Sequence, residues 1–347
     1  MSDRIDLLRR ALATVQDPDL HRDLVTLDMV RDLTVDGDLA RFTLVLTTSA
    51  CPMKQQLEDQ CRAAALTVPG VTRAELTVTA EVPKGVNLSE QMPEVRHIVG
   101  VGSGKGGVGK STVAANLACA LSLRGAKVGL LDADIYGPSV PTMFGYHEQP
   151  QVVNKRLQPP VVHGVKLMSM GFLIDRDQPV AWRGPMLMGA LKQFLTDVNW
   201  GELDYLLVDL PPGTGDIQLT LAQSVKLAGA VVVSTPQAVA LADVRRSVAM
   251  FEKVNVPMFG IIENMSEFVC PACGHVEPIF GTGGAEEEAS ILGLPFLGRV
   301  PLEPGVRLAG DKGTPVVVTH PDSRSAKAFF NLAAKVAQQV SIGALRG

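Results

Sequence analysis

The sequence predicts an α/β protein: a doubly wound, mostly parallel sheet preceded by a small α+β domain. Three observations carry that expectation. From His97 onward, short aliphatic runs alternate with helical apolar spacing, the pattern of parallel strands joined by crossover helices. Residues 1–82 instead read α-β-β-α-β around a hairpin signal at Asp36-Gly37. Between a strand and a helix of the larger part lies the glycine-rich stretch Gly104-Lys-Gly-Gly-Val-Gly-Lys-Ser-Thr112. At 347 residues the chain exceeds the usual single-domain size. The expected division is 1–82, a linker at 83–96, and 97–347.

In order, Ser2–Val15 places Ile5, Leu8, Leu12 and Val15 at helical spacing with Ser2 as candidate cap, and Asp17-Pro18-Asp19 stops it. Asp28–Val35 and Leu39–Thr47 read as the hairpin strands, Met53–Leu66 as a second helix, and Ala74–Thr79 as a third strand. Val82–Arg96 holds Pro83, Gly85 and Pro93 with few apolar residues, hence the linker. Further strands are predicted at Ile98–Gly102, Val128–Asp132, Tyr205–Leu210, Val231–Thr235, Met258–Glu263 and Phe296–Val300. Helices are predicted around Thr112–Leu123, Pro185–Thr196, Ile217–Val225, Ala238–Val254 and Ala326–Val340. Gln149–Ile174 has no clear period and stays unassigned.

Composition narrows the function classes. Hydrophobic content of 46% with only 5% aromatics suits an aliphatic core, and no apolar run reaches the length of a membrane span. The start, Met-Ser-Asp-Arg-Ile-Asp, carries acids where a secretory signal would be basic and then apolar, which predicts a soluble, cytoplasmic chain. Net charge is −4, with nine Lys/Arg against thirteen Asp/Glu in 1–82 and twenty-three of each thereafter. No basic face is visible, so no nucleic acid is expected as a partner. The stripe Phe329, Leu332, Val336 and Val340, with only Lys327 and Lys335 as bases, reads as a core-packing final helix and gives no membrane anchor.

The glycine-rich stretch fits G-x-x-x-x-G-K-[ST], with Gly104, Gly109, Lys110 and Ser111 in the fixed positions. Backbone N–H groups from Gly104 through Gly106, Gly107 and Val108 to Thr112 can close around phosphate oxygens, helped by the helix N-terminus. Lys110 supplies a charge to the outer phosphates and Ser111 a hydroxyl for Mg²⁺. Lys105 adds a second lysine, able to stabilise charge at the outer phosphate within its own subunit or across a dimer. Asp209 ends the strand Tyr205-Leu-Leu-Val-Asp209, from which a carboxylate reaches the Mg²⁺ shell. The loop Leu210–Asp216 follows, where the Gly213 N–H can sense a γ-phosphate. Asp132 and Asp134 end another strand, Asp132 nearer the metal, although both can also serve as turn caps. Asn264 closes Gly260-Ile-Ile-Glu-Asn264, where an amide can read a purine edge or form a turn.

With Lys105 in its loop, the sequence resembles the deviant P-loop ATPases, the group of the nitrogenase iron protein, MinD and ParA. The resemblance implies a P-loop NTPase domain, an ATP-sandwich homodimer in which Lys105 reaches the partner's nucleotide, Asp134 orienting the attacking water, and Asn264 reading adenine.

Cys270-Pro-Ala-Cys273-Gly-His275 can place two thiolates on one metal. This is half a site. A second subunit can complete Cys₄ at a two-fold axis, His275 can serve as a third zinc ligand, or the pair can be redox or structural thiols. Of the other cysteines, Cys61 and Cys119 read as core. Cys51, in Thr48-Ser-Ala-Cys-Pro-Met53, starts a helix and is either a thiolate ligand or packing. The phosphate loop with Lys105, the Asp209-Leu-Pro-Pro-Gly-Thr-Gly-Asp216 loop and Cys-Pro-Ala-Cys together resemble the Mrp/ApbC family of iron–sulphur cluster carriers. The first 82 residues resemble the small domain of iron–sulphur assembly factors. The resemblance implies a [4Fe–4S] cluster bridged by Cys270 and Cys273 of two subunits, passed to apo iron–sulphur proteins and gated by slow ATP hydrolysis. A positioning ATPase of the MinD/ParA kind and a zinc-binding, ATP-dependent scaffold are the alternatives.

Overall fold

The computed structural model describes residues 2–18, 20–48, 50–51, 53–82, 92, 94–134, 137–172, 189–190, 193–215, 218–219, 222 and 226–346. Two compact units emerge, Met1–Pro83 with Ala337–Gly347, and Lys84–Val336. The residues after Val336, expected in the ATPase part, therefore group with the first unit.

In the first unit, α1 (Ser2–Leu12), β1 (Val30–Asp36), β2 (Leu39–Leu46), α2 (Lys54–Leu66) and β3 (Arg73–Ala80) follow the expected order. The hairpin closes at Asp36 and Leu39 through Gly37 at φ +60°, and β3 joins β2 in parallel. Leu8 and Leu12 of α1 and Leu57 and Cys61 of α2 pack over Phe42 and Leu44 in one core.

The second unit starts with β4 (Val95–Gly102), α3 (Lys110–Leu123), β5 (Val128–Asp132) and α4 (Val140–Phe144). The unassigned stretch forms β6 (Val152–Val153), β7 (Arg156–Leu157), β8 (Val161–Val162), β9 (Val165–Ser169) and a 3₁₀ turn at Met170–Phe172. Then come β10 (Leu203–Asp209), β11 (Gly229–Ser234), α5 (Ala238–Lys253), β12 (Met258–Val269), β13 (Val276–Glu277), α6 (Gly284–Leu292), β14 (Phe296–Leu302), α7 (Pro304–Asp311), α8 (Val316–Thr319) and α9 (Arg324–Arg346). Of the helix expected at 185–196, the described residues 189–190 and 193–196 are helical, and of that expected at 217–225 the described residues 218–219 and 222 are helical.

The sheet runs β13-β12-β11-β4-β10-β5-β9-β8, with β14 also paired to β12. Its central pairs are parallel, and β8 and β13 are antiparallel additions. Strands β4, β5, β10 and β11 are buried almost throughout, as helices on both faces require. Phe329, Leu332, Val336 and Val340 of α9 are all buried. No helix among the described residues is long and apolar enough to cross a membrane.

Candidate functional site: a phosphate loop and an exposed thiol hairpin

The phosphate loop joins the carboxyl end of β4 to the first turn of α3. Gly107 and Gly109 hold φ of 82° and 81°, a region that suits glycine, and Gly109 caps α3. Two glycines are also required for space. A Cβ at Gly104 would lie 2.5 Å from the Asp243 backbone on α5, and one at Gly109 2.2 Å from Asn264 Nδ2. Lys105 is half-buried and Gly106 exposed, while the Val108 side chain is buried. Ser103 donates its hydroxyl to the Lys105 carbonyl at 3.0 Å, pinning the start of the loop.

The parallel register sets Asp209 of β10 directly beside Asp132 of β5. Lys110 Nζ reaches Asp209 Oδ1 at 2.5 Å and Ser111 Oγ at 3.3 Å, gathering lysine, hydroxyl and carboxylate. Asp209 is fully buried, and its Oδ2 has no hydrogen-bond partner among the described residues. A buried, orphaned carboxylate oxygen beside a serine hydroxyl is the hard-oxygen donor set that Mg²⁺ takes, so these residues fit that ion. Asp132 accepts the Asp134 N–H (3.2 Å), the Val140 N–H (3.1 Å) and the Ser169 hydroxyl (3.1 Å). It thus holds the loop into α4, the capping role, while standing next to the carboxylate of Asp209. Burial first, and then the charge of Asp209, pushes its carboxyl up to about 7. Asp134 is half-buried just beyond this strand. Gly213 donates its N–H to the Ser103 carbonyl at 3.0 Å, tying the Leu210 loop to the phosphate loop, and Asp216 lies outside the described residues.

Asn264, on β12, is buried and donates to the Val108 carbonyl at 2.9 Å. A primary amide has two donors and a carbonyl, so one N–H and the oxygen remain for a purine edge. It borders a cavity of about 660 Å³ with Gly109, Thr112, Pro301, Glu303 and Val306, a volume of the order small-molecule sites need. Sequence reasoning missed Pro301–Val306. The signal was Pro304 opening a helix right after a strand, which puts this turn at a carboxyl edge of the sheet.

The thiol pair sits just beyond the far end of β12. That strand was expected to end at Glu263 but continues to Val269, because β13 pairs with it at Phe268 and Val269. Cys270–His275 is the turn between them, closed by Gly274 N–H to Cys270 O (2.8 Å) and Cys270 N–H to His275 O (2.9 Å). This is a hairpin turn, unlike the helix start of redox C-x-x-C sites. Cys270 is half-buried and Cys273 exposed, and both are free thiols. The N–H groups of Cys273 and Ala272 directed at Cys270 hold its thiol below the ordinary range. His275, the candidate third ligand, contacts Glu277 at 3.1 Å. Among the described residues no three His, Cys, Asp or Glu side chains are gathered to hold one metal. Val276 of the same hairpin, and Ile279 and Phe280 just after it, are exposed. Cys61 and Cys119 are buried, with thiols pushed up to about 11 and about 12, and Cys51 is half-buried in the first unit.

Residues 94–337 match the family model of NUBPL iron-transfer P-loop NTPases, and residues 6–76 that of the iron-sulfur cluster assembly protein. An iron-sulfur cluster carrier protein of Synechocystis sp. is 52% identical, with 98% of this chain and 99% of that one aligned. Among solved structures, a nucleotide-binding protein of Archaeoglobus fulgidus in complex with ADP is 42% identical at a TM-score of 0.59, covering 65% of this chain and 89% of its own. The cell division ATPase MinD of Pyrococcus furiosus, 24% identical with a TM-score of 0.51 over 69% of this chain and 98% of its own, shares the fold. A phosphate loop with its buried carboxylates, a two-thiol hairpin and relatives matched end to end agree: the chain belongs to the iron–sulfur cluster carrier family of P-loop NTPases.

Proposed function

We propose that two copies of this chain hold one [4Fe–4S] cluster between their Cys270 and Cys273 thiolates and deliver it to apo-proteins, with slow ATP hydrolysis gating release. The observation that carries this reading is the thiol hairpin. It offers two accessible sulphurs, one with a lowered pKa, on a turn with room for half a Cys₄ site. The exposed Val276, Ile279 and Phe280 beside it supply apolar surface for a second copy to cover. Each thiol gives up its proton on ligation, and the N–H groups at Cys270 favour the thiolate.

At the nucleotide site, the loop N–H groups take the phosphates, and Lys110 exchanges Asp209 for the β- and γ-phosphate oxygens. Ser111 and Asp209 would hold Mg²⁺, which neutralises phosphate charge when bound. Asp134 orients the water that attacks the γ-phosphorus. The water's proton passes to solvent or phosphate as the bond to ADP breaks. Lys105, from its own or the partner copy, steadies the charge on the transferred group, and Asn264 reads the adenine. Cys273→Ala is expected to lose the sulphur-to-iron charge-transfer absorbance after anaerobic reconstitution while binding ATP like the wild type. An unchanged spectrum overturns the assignment of the thiols.

A further inference from the structure

β12 meets the phosphate loop and the thiol hairpin within a few residues, and the stretch between is irregular. Asn264 hydrogen-bonds the Val108 carbonyl. Its neighbour Glu263 points to the opposite face, as strand alternation dictates. There its buried carboxylate accepts the N–H groups of Gly283 (3.0 Å) and Ala285 (2.9 Å) and pairs with Arg299 Nε at 3.2 Å. Gly283 and Ala285 end the segment that carries Cys270 and Cys273. The whole thiol segment is therefore a loop whose two ends are fastened at Glu263–Asn264. Immediately beyond, Met265 has φ +56°, a conformation unusual for a side chain of its size. The pairing with β14 slips at the same point: Asn264 faces Val300 and Phe268 faces Leu302, so β12 carries two extra residues.

We infer that Glu263, Asn264 and Met265 form the link through which an occupied phosphate loop alters the Cys270/Cys273 turn, an inference that rests on reading those thiols as the cargo site. Phosphate drawing on the loop N–H groups moves the Val108 carbonyl, and the hydrogen bond carries Asn264 with it. The strand before Asn264 is clamped in register between Ser234 of β11 and Arg299 of β14 at Glu263, so it does not slide. The displacement is taken up at the Met265 bulge, where the ladder with β14 is already interrupted and the backbone is free to rearrange. Glu263 is a positioning residue. By fixing the return end of the segment it turns a shift at Asn264 into a rotation of the hairpin rather than slack.

The test uses the full-length, cluster-free protein under anaerobic conditions. Alkylation of Cys270 and Cys273 by iodoacetamide is timed by peptide mass spectrometry with and without saturating ATP·Mg²⁺, and ATP affinity is measured by calorimetry. The wild-type rate is expected to change about fivefold on ATP addition, the lower end of ordinary coupling. Glu263→Gln should bind ATP as the wild type does yet lose that response. A merely loosened hairpin would shift its basal rate and keep the ATP response. If Glu263→Gln does not fold, Arg299→Met removes the cation that holds the Glu263 carboxylate in place, from a partly exposed position, and should reduce the ATP response. A wild-type rate indifferent to ATP, or a folded variant that responds like the wild type, overturns the inference. Cluster incorporation by the wild type is scored separately. Its failure would remove the cargo reading and leave the ATP response of the thiols standing.

Discussion

Alanine at Gly109 puts the contact between β12 and the phosphate loop to a quantitative test. Gly109 sits at φ +81°, where an L-residue costs about 1–2 kcal/mol. The new Cβ would stand 2.2 Å from Asn264 Nδ2, so the amide must swing away and leave the Val108 carbonyl without its partner. An unsatisfied buried acceptor costs about 1–3 kcal/mol, bringing the total to about 2–5 kcal/mol. In an Asn264→Ala background the obstructing amide is gone. The closest remaining neighbour beyond that residue is Met265 Cε at 3.5 Å, ordinary contact, and only the backbone cost of about 1–2 kcal/mol persists. The four proteins therefore form a cycle with a coupling of about 1–3 kcal/mol, the double variant losing less than the sum. Urea unfolding without nucleotide, followed by emission of the buried Trp200 in a Trp182→Phe background, reads the unit that holds the loop. Additive costs would refute the claim that Asn264 is pressed against Gly109.

Two further predictions concern titrating groups. Asp132 has a folded pKa raised from 3.8 to about 7, so the folded protein binds the proton more tightly than the unfolded chain, and the contribution of this group to stability falls as pH rises from about 4 to about 7 and is flat above. Asp132→Asn should remove that slope, measured as urea midpoints at several pH values across this window, and an unchanged slope would refute the assignment. Among the thiols, the lowered Cys270 and the exposed Cys273 should alkylate in the native protein near neutral pH, while Cys61 and Cys119, pushed up to about 11 and about 12 and buried, should not. Mass-spectrometric mapping checks the order, and modification of Cys119 ahead of Cys270 would contradict it.

The nucleotide side was legible wherever chemistry follows from local spacing. A glycine loop between a buried strand and a helix fixes where Lys110 and Ser111 begin that helix, and a carboxylate ending an aliphatic run fixes Asp209 at the sheet's carboxyl edge. Strand β5 falls on the expected Val128–Asp132 for the same reason. Legibility failed where pairing overrode pattern. Asn264-Met-Ser-Glu267 breaks the apolar run of β12, so the sequence stops the strand at Glu263. Partners in β13 and β14 carry it to Val269 across the bulge. The two-residue strands of 152–162 are too short to show a period, yet β9 beside them is buried in the sheet.

A stripe also reports that a helix face is covered without naming the cover. Phe329, Leu332 and Val336 belong to one compact unit and Val340 to the other, although all four continue a single helical spacing. The same limit explains what remained unseen at the candidate site. Lys110 meets Asp209 across 99 residues and Asn264 meets Val108 across 156. Spacing supplies the residue types for such contacts but not the contacts themselves, because those depend on which strands the sheet places side by side. The parallel register does that work here. It brings Asp209 level with Asp132 and sets β12 so that one face of a dipeptide grips the phosphate loop while the other grips the thiol segment. Glu263→Gln would look conservative in the sequence, yet the carboxylate it replaces is what fastens the return end of the thiol segment to β12.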